Sequence, residues 1–198
     1  MAIALERSNT SRCIDQSRIE RAVHDILEAV SEDVMREGLR DTPARVARMY
    51  AELFAGLAAD PRDELSATFE EDHSEMVVVR DIPFYSMCEH YLLPFHGRAH
   101  FGYLPNGRIV GPSKIARLVE TLSRRPQVQE RLTGQIADTF CEVLQPLGAG
   151  VVIEAEHLCI TMRGIKKPGS RMVTSALRGA FRDSAETRGE FLANVRQR

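Results

Sequence analysis

"EMVVVRDIPFYS", residues 75–86, is where the chain changes its period. Apolar and β-branched side chains crowd into a short run bounded by turn residues, which predicts a strand over 75–82. Upstream, the spacing is helical. From Ile19, apolar residues fall at 19, 22, 23, 26, 27 and 30, the stripe of an amphipathic helix. Ser17 followed three residues later by Glu20 has the form of a capping box. In "DTPARVARMYAELFAGL" (41–57), Thr42 suits a cap and Pro43 the first helical position, where its missing N–H costs nothing. Val46, Tyr50, Leu53, Phe54 and Leu57 then share one face. Neither helix carries an obvious site, so both read as packing surfaces, and the acidic stretch 58–75 reads as a linker.

Downstream, "GRAHFGYLP" and "RIVG", joined through Asn106-Gly107, read as a hairpin over 97–110. Helical spacing returns at Ile115, Leu118, Val119 and Leu122, starting near Ser113 after Pro112. It continues after Pro126 with Val128, Leu132, Ile136, Phe140 and Val143 facing inward. "GAGVVIEAEHLCITMRG" (148–164) reads as two tightly joined strands with Gly148 and Gly150 as breakers, and 174–196 as two short helices. This order, β-ββ-αα-ββ-α, describes an α+β domain with helices on one face of an antiparallel sheet.

Composition narrows the function. A length of 198 residues with 43% hydrophobic and 27% charged residues is that of a globular domain. No apolar run approaches the roughly 18 residues of a membrane span, and the N-terminus lacks the apolar core of a signal peptide. A cytoplasmic protein is expected, with Cys13, Cys88, Cys141 and Cys159 reduced. A net charge of −2 gives no general reason for nucleic-acid binding, so an anionic ligand needs a local basic cluster.

The candidate chemistry is concentrated in "SMCEHYLLPFHGRAH" (86–100), which holds a thiol, a carboxylate, a phenol and three imidazoles. A second Cys/His pair, "EHLC", follows at 156–159. Zinc favours thiolate and imidazole, and a catalytic site keeps three protein ligands and a water. Cys88 lies just after a strand and Cys159 is expected on a late strand, so a sheet could join them; buried, inert cysteines give the same spacing. Cys141 falls on an apolar helical face and reads as core. Ser113, Lys114 and Arg117 occupy the first turns of a helix, a place that favours anions. Arg163, Lys166 and Lys167 form a second basic group. Gln129 and Glu130 stand together; a carboxylate is the natural acceptor for the adjacent ring N–H and exocyclic amine of guanine. Each of these groups also fits a solvated surface.

Taken in order, "GLRDTPARVARMY", "SMCEHYLLPF", "GYLPNGRIVGPSKIARLVE", "RRPQVQERLTGQIA", "EAEHLCITMRGI" and "TRGEFLANVR" resemble GTP cyclohydrolase I from about residue 18 to the C-terminus. The resemblance implies the tunnelling fold, in which subunits pool antiparallel sheets into a barrel with helices outside. It divides the chain into a tail (1–17), a helical region with linker (18–73) and a tunnelling-fold domain (74–198). It implies a homodecamer of two pentamers with sites between subunits. The implied reaction converts GTP and water to 7,8-dihydroneopterin triphosphate and formate, for pterin and tetrahydrofolate biosynthesis.

Residue by residue, the resemblance matches Cys88 and Cys159 to zinc ligands and His90 and His157 to proton-handling histidines. It matches Gln129 and Glu130 to the guanine-holding pair, and Ser113, Lys114, Arg117 and Arg163 to the ribose and triphosphate contacts. The pattern departs at one position. The family's third zinc ligand is a His in "CEHH", and this chain has Tyr91 in "CEHY". A phenol must ionise before it binds a metal well. Tyr91 as phenolate, His90 or His96 as a substitute, and loss of the metal are the alternatives. They leave open an atypical paralogue that stops at a formamidopyrimidine or only binds guanine nucleotide or pterin.

Overall fold

The structure, a computed structural model, describes residues 13–196; most of the expected tail, residues 1–12, lies outside them. The chain opens with α1 (Gln16–Ala29) and α2 (Thr42–Leu53), which pack on each other. The cap of α1 is Asp15, not Ser17: its carboxylate accepts from the Arg18 N–H at 2.9 Å and also takes the Ser17 hydroxyl at 2.7 Å. A carboxylate is the stronger acceptor and displaces the hydroxyl by two residues. At α2 the cap position likewise falls one residue earlier, on Asp41.

The expected linker is structured. Residues Pro61–Leu65 form a 3₁₀ turn that drives Leu65, fully buried, into the main core. Thr68–Glu70 then forms β1. Next come β2 (Val77–Cys88), β3 (Pro94–Leu104) and β4 (Arg108–Val110), and the expected hairpin resolves differently. β3 pairs with β2, whereas β4 turns away to pair with β1. The strand predicted to end at 82 runs on to Cys88 past an irregularity at 80–81, where Asp81 has φ +57°.

Two helices follow, α3 (Pro112–Ser123) and α4 (Gln129–Leu144), separated by the two-residue β5 (Pro126–Gln127). "GAGVVIEAEH" is one strand, β6 (Gly148–His157), and the short helix α5 (Leu158–Thr161) carries Cys159, which is therefore helical rather than on a strand. The sheet closes with β7 (Met172–Gly179), then α6 (Ala180–Asp183) and α7 (Ala185–Arg196). The order in the sheet is β5-β2-β3-β6-β7, antiparallel except for the β5–β2 contact. Gly148 and Gly150 do not break β6. Gly150 lies opposite Gly102 on β3, and a Cβ at either would come within 2.6–2.7 Å of Phe181 or Phe191. The two glycines make room for those rings.

The main core lies between the sheet and α3/α4. Leu132, Ile136 and Phe140 of α4 are fully buried, and Phe140 sits 4.5 Å from Phe101 and 4.9 Å from Tyr103, centroid to centroid. Burying each such side chain contributes about 1.5–3 kcal/mol. The other face is covered only at one end, by Phe181 and Phe191. The architecture is α+β, with the sheet's β2 and β6 both ending beside the start of α4.

Candidate functional site

β2 ends at Cys88, and the chain reverses through 89–92 before β3 begins. Cys88 N–H donates to the Leu93 carbonyl at 2.9 Å and Leu92 N–H to the Cys88 carbonyl at 2.8 Å, with Leu92 at φ +50°. The turn is held from outside by α4: both Arg131 guanidinium nitrogens bond the Glu89 carboxylate, at 2.5 and 3.0 Å. That pairing draws the Glu89 carboxyl below its ordinary range, with His90 adding slightly. Glu89 N–H also donates to the Gln127 carbonyl on β5 at 3.0 Å. A turn fixed this way presents Cys88, His90 and Tyr91 in defined directions.

Cys88 is buried, and Cys159 packs against the same core close enough for the two sulfurs to influence each other. Burial, and then the neighbouring Cys88 sulfur, push the Cys159 thiol up, so it holds its proton in the absence of a cation. His90 Nδ1 lies 4.0 Å from Cys88 Sγ. Tyr91 is 55% exposed, and the Arg163 guanidinium stands over its ring, 4.5 Å from the centroid. This is cation–π distance.

His96 takes no part in this cluster. In β3 it is opposite Tyr85 and Glu156, with its ring stacked on Tyr85 at 5.5 Å. Ser86 and Phe95 are opposed on the other face, and Cys88 shares the parity of Ser86. Side chains alternate across a strand, so His96 and Cys88 are on opposite sides of the sheet.

His157, at the end of β6, is buried with its ring stacked flat on Phe95, 4.7 Å between centroids and 2° between planes. Its Nε2 is 2.8 Å from Gln129 Oε1. Burial lowers its pKa, opposed by the Glu130 carboxylate. Glu130 is exposed on the first turn of α4. Gln129 is the surprise. Expected to hold guanine, its side chain is 1% exposed and directed into the protein. Sequence reasoning missed Arg131 and Phe95 as supports of the site. Their partners are 42 and 62 positions away, so no local spacing could reveal them.

One chain thus gathers Cys88, His90, Tyr91, Glu130, His157, Cys159 and Arg163. Ser113 and Lys114 are elsewhere. Ser86 Oγ donates to the Ser123 carbonyl at 2.7 Å, so it is the C-terminal end of α3 that approaches the thiols. At 1.5 Å per residue, Ser113 lies roughly 15 Å up the helix and Arg117 roughly 9 Å. Among the described residues, the group whose donor atoms all lie within 4.8 Å of one another is His24, Asp25 and Glu28 on α1, with His24 Nδ1 3.7 Å from Glu28 Oε2; Cys88, His90 and Cys159 do not close to that distance in one chain.

The model of the family described as GTP cyclohydrolase I matches residues 19–196. The chain belongs to the GTP cyclohydrolase I family. It is 60% identical over 183 residues to GTP cyclohydrolase 1 of Carboxydothermus hydrogenoformans, covering 92% of this chain and 95% of that one. It is 62% identical over 181 residues to GTP cyclohydrolase 1 of Thermobifida fusca, covering 90% and 87%. It is 58% identical over 182 residues to the Streptococcus mutans protein of the same name, covering 91% and 95%. Within this GTP cyclohydrolase I member, no described helix is long and apolar enough to cross a membrane.

Proposed function

We propose that this chain is a cytoplasmic, zinc-dependent enzyme converting GTP and water to 7,8-dihydroneopterin triphosphate and formate. The observation that carries the reading is the approach of Cys159 to Cys88, with His90 Nδ1 4.0 Å from the Cys88 sulfur. Two adjacent thiols on separate elements are a donor pair suited to zinc, and each loses a proton on binding it. His90 supplies the third donor in this reading by moving toward the thiols from its place in the single chain, where its Nδ1 lies 4.0 Å from Cys88 Sγ and Arg163 engages the Tyr91 ring. Zinc bound there would lower the pKa of a coordinated water to about 7 and so supply hydroxide at neutral pH.

The chain's own residues do the rest. Glu130, exposed at the head of α4, accepts from the ring N–H and amine of guanine and rejects adenine, which presents the wrong donor pattern. Arg163 offsets triphosphate charge at the thiol end of the site. His157 accepts and returns protons as the imidazole opens and the ribose rearranges. Ser113, Lys114 and Arg117 contribute from a second copy of the chain, since in one chain they stand along α3 away from the thiols. The same reasoning supports the tunnelling-fold domain over 74–198 as the assembling unit of a decamer, with β7 and β2/β5 as the edges available for pairing between copies.

A second reading, a paralogue that stops at the opened formamidopyrimidine, rests on Tyr91 alone. Metal-stripped protein incubated with GTP, with and without zinc, distinguishes them by product mass. Dihydroneopterin triphosphate supports the first reading, and a formamidopyrimidine end product the second. Glu130→Ala tests the guanine assignment; unchanged GTP affinity would contradict it.

A further inference from the structure

Gln129 is oriented without ambiguity. Its two Nε2–H groups are shared among three acceptors, the Ile153 carbonyl at 3.1 Å, the Met172 carbonyl at 3.1 Å and Thr174 Oγ1 at 3.0 Å. Two of those partners are backbone carbonyls, which only accept, so the nitrogen must be on that side and the oxygen on the other. The oxygen faces His157 Nε2 at 2.8 Å. An amide oxygen cannot donate, so Nε2 must carry the proton, and a neutral His157 is fixed with its lone pair at Nδ1. Thr133 extends the chain of constraint: its hydroxyl donates to the Gln129 carbonyl at 2.7 Å and lies 2.7 Å from Thr174 Oγ1. The ring itself is held flat against Phe95.

We infer that Gln129 is a positioning residue for His157, not a reader of the guanine base. Strands β6 and β7 supply the carbonyls that set the amide, the amide sets the imidazole, and Nδ1 becomes the atom that accepts a proton from the reacting nucleotide. The Gln129 side chain is withdrawn from any ligand, because it is 1% exposed and both its nitrogen and its oxygen bond inside the protein. The inference rests on the assignment of His157 as a proton-handling group, and extends it by naming the nitrogen and the device that selects it.

The test uses full-length protein labelled with 15N at histidine and solid-state 15N spectra recorded at about pH 8, above the ordinary imidazole range. A His157→Asn difference spectrum assigns the signal. The expected result is a protonated Nε2 and an unprotonated Nδ1; the opposite tautomer in the wild-type protein overturns the inference. Gln129→Met is the second arm. It should leave GTP affinity within about threefold, lower kcat at least about tenfold, and yield a mixture of His157 tautomers. Loss of GTP binding with an unchanged tautomer would make Gln129 a base reader and overturn the inference. Should the variant fail to fold, the wild-type spectrum still decides. If wild-type protein shows the expected tautomer and no turnover of GTP, the assigned reaction fails and the tautomer device stands.

Discussion

At the scale of single residues, the structure gives Tyr91 a partner of its own. The Arg163 guanidinium stands over the Tyr91 ring, 4.5 Å from its centroid. Tyr91→Phe should therefore leave zinc affinity unchanged within about twofold in a chelator competition, because a cation–π contact of about 0.5–1 kcal/mol at an exposed site is not a coordination bond. His90→Ala should weaken zinc at least about tenfold, as expected when a third donor is lost. A large loss in Tyr91→Phe with none in His90→Ala would make the phenolate the ligand. Spacing alone left the two cysteines open between a metal pair and inert core thiols, and the resemblance left the third donor open among Tyr91, His90, His96 and no metal at all. Sequence offset says nothing of which face of a sheet a residue occupies until the register is fixed. The register of β2, β3 and β6 is what separates His96 from Cys88. Gln129 shows the converse. Its neighbour Glu130 faces outward, and only the partners from β6 and β7, 24 and 43 residues away, reveal that Gln129 turns inward.

At the scale of elements, the turn 89–92 and the start of α4 act as one unit through Glu89 and Arg131. The Glu89 carboxyl is lowered by that pairing. A depressed carboxyl stabilises the fold above its unfolded value of about 4.3, and the contribution is lost as pH falls through the lower folded value. Arg131→Ala should thus narrow its stability gap to wild type in acid, below about pH 4, and show the full gap at neutral pH. A gap that grows in acid would contradict the pairing. β3 and β6 approach so closely at Gly97 that a Cβ there would sit 1.9 Å from the Glu154 carbonyl oxygen. Gly97→Ala should cost about 3 kcal/mol or more in urea unfolding, the upper range for forced overpacking. The amphipathic helices were legible because each packs a regularly spaced stripe against a neighbour, α3 and α4 on the sheet and α1 and α2 on each other. The pairing of β4 with β1 was not, since Asn106-Gly107 signals a turn but not which strand the chain then joins. Nor was the continuity of β6, because its glycines are selected by Phe181 and Phe191, which lie far along the chain.

At the scale of the whole molecule, a single chain holds the thiol end of the site and carries Ser113 and Lys114 at the far end of α3. Cys88→Ser and Lys114→Ala should each be inactive, yet co-expression should restore activity to at most about a quarter of sites, the statistical share for a site built from two chains mixed equally. No recovery in verified mixed oligomers would contradict the shared site. The exposed apolar residues of the N-terminal helices and the turn between them, Ile26, Val30, Met35 and Met49, are consistent with surfaces covered by further copies. The most direct measurement is mass-spectrometric product analysis of metal-stripped protein incubated with GTP, with and without zinc. The account predicts dihydroneopterin triphosphate and formate only when zinc is restored. GTP bound but unchanged at every zinc concentration would contradict it.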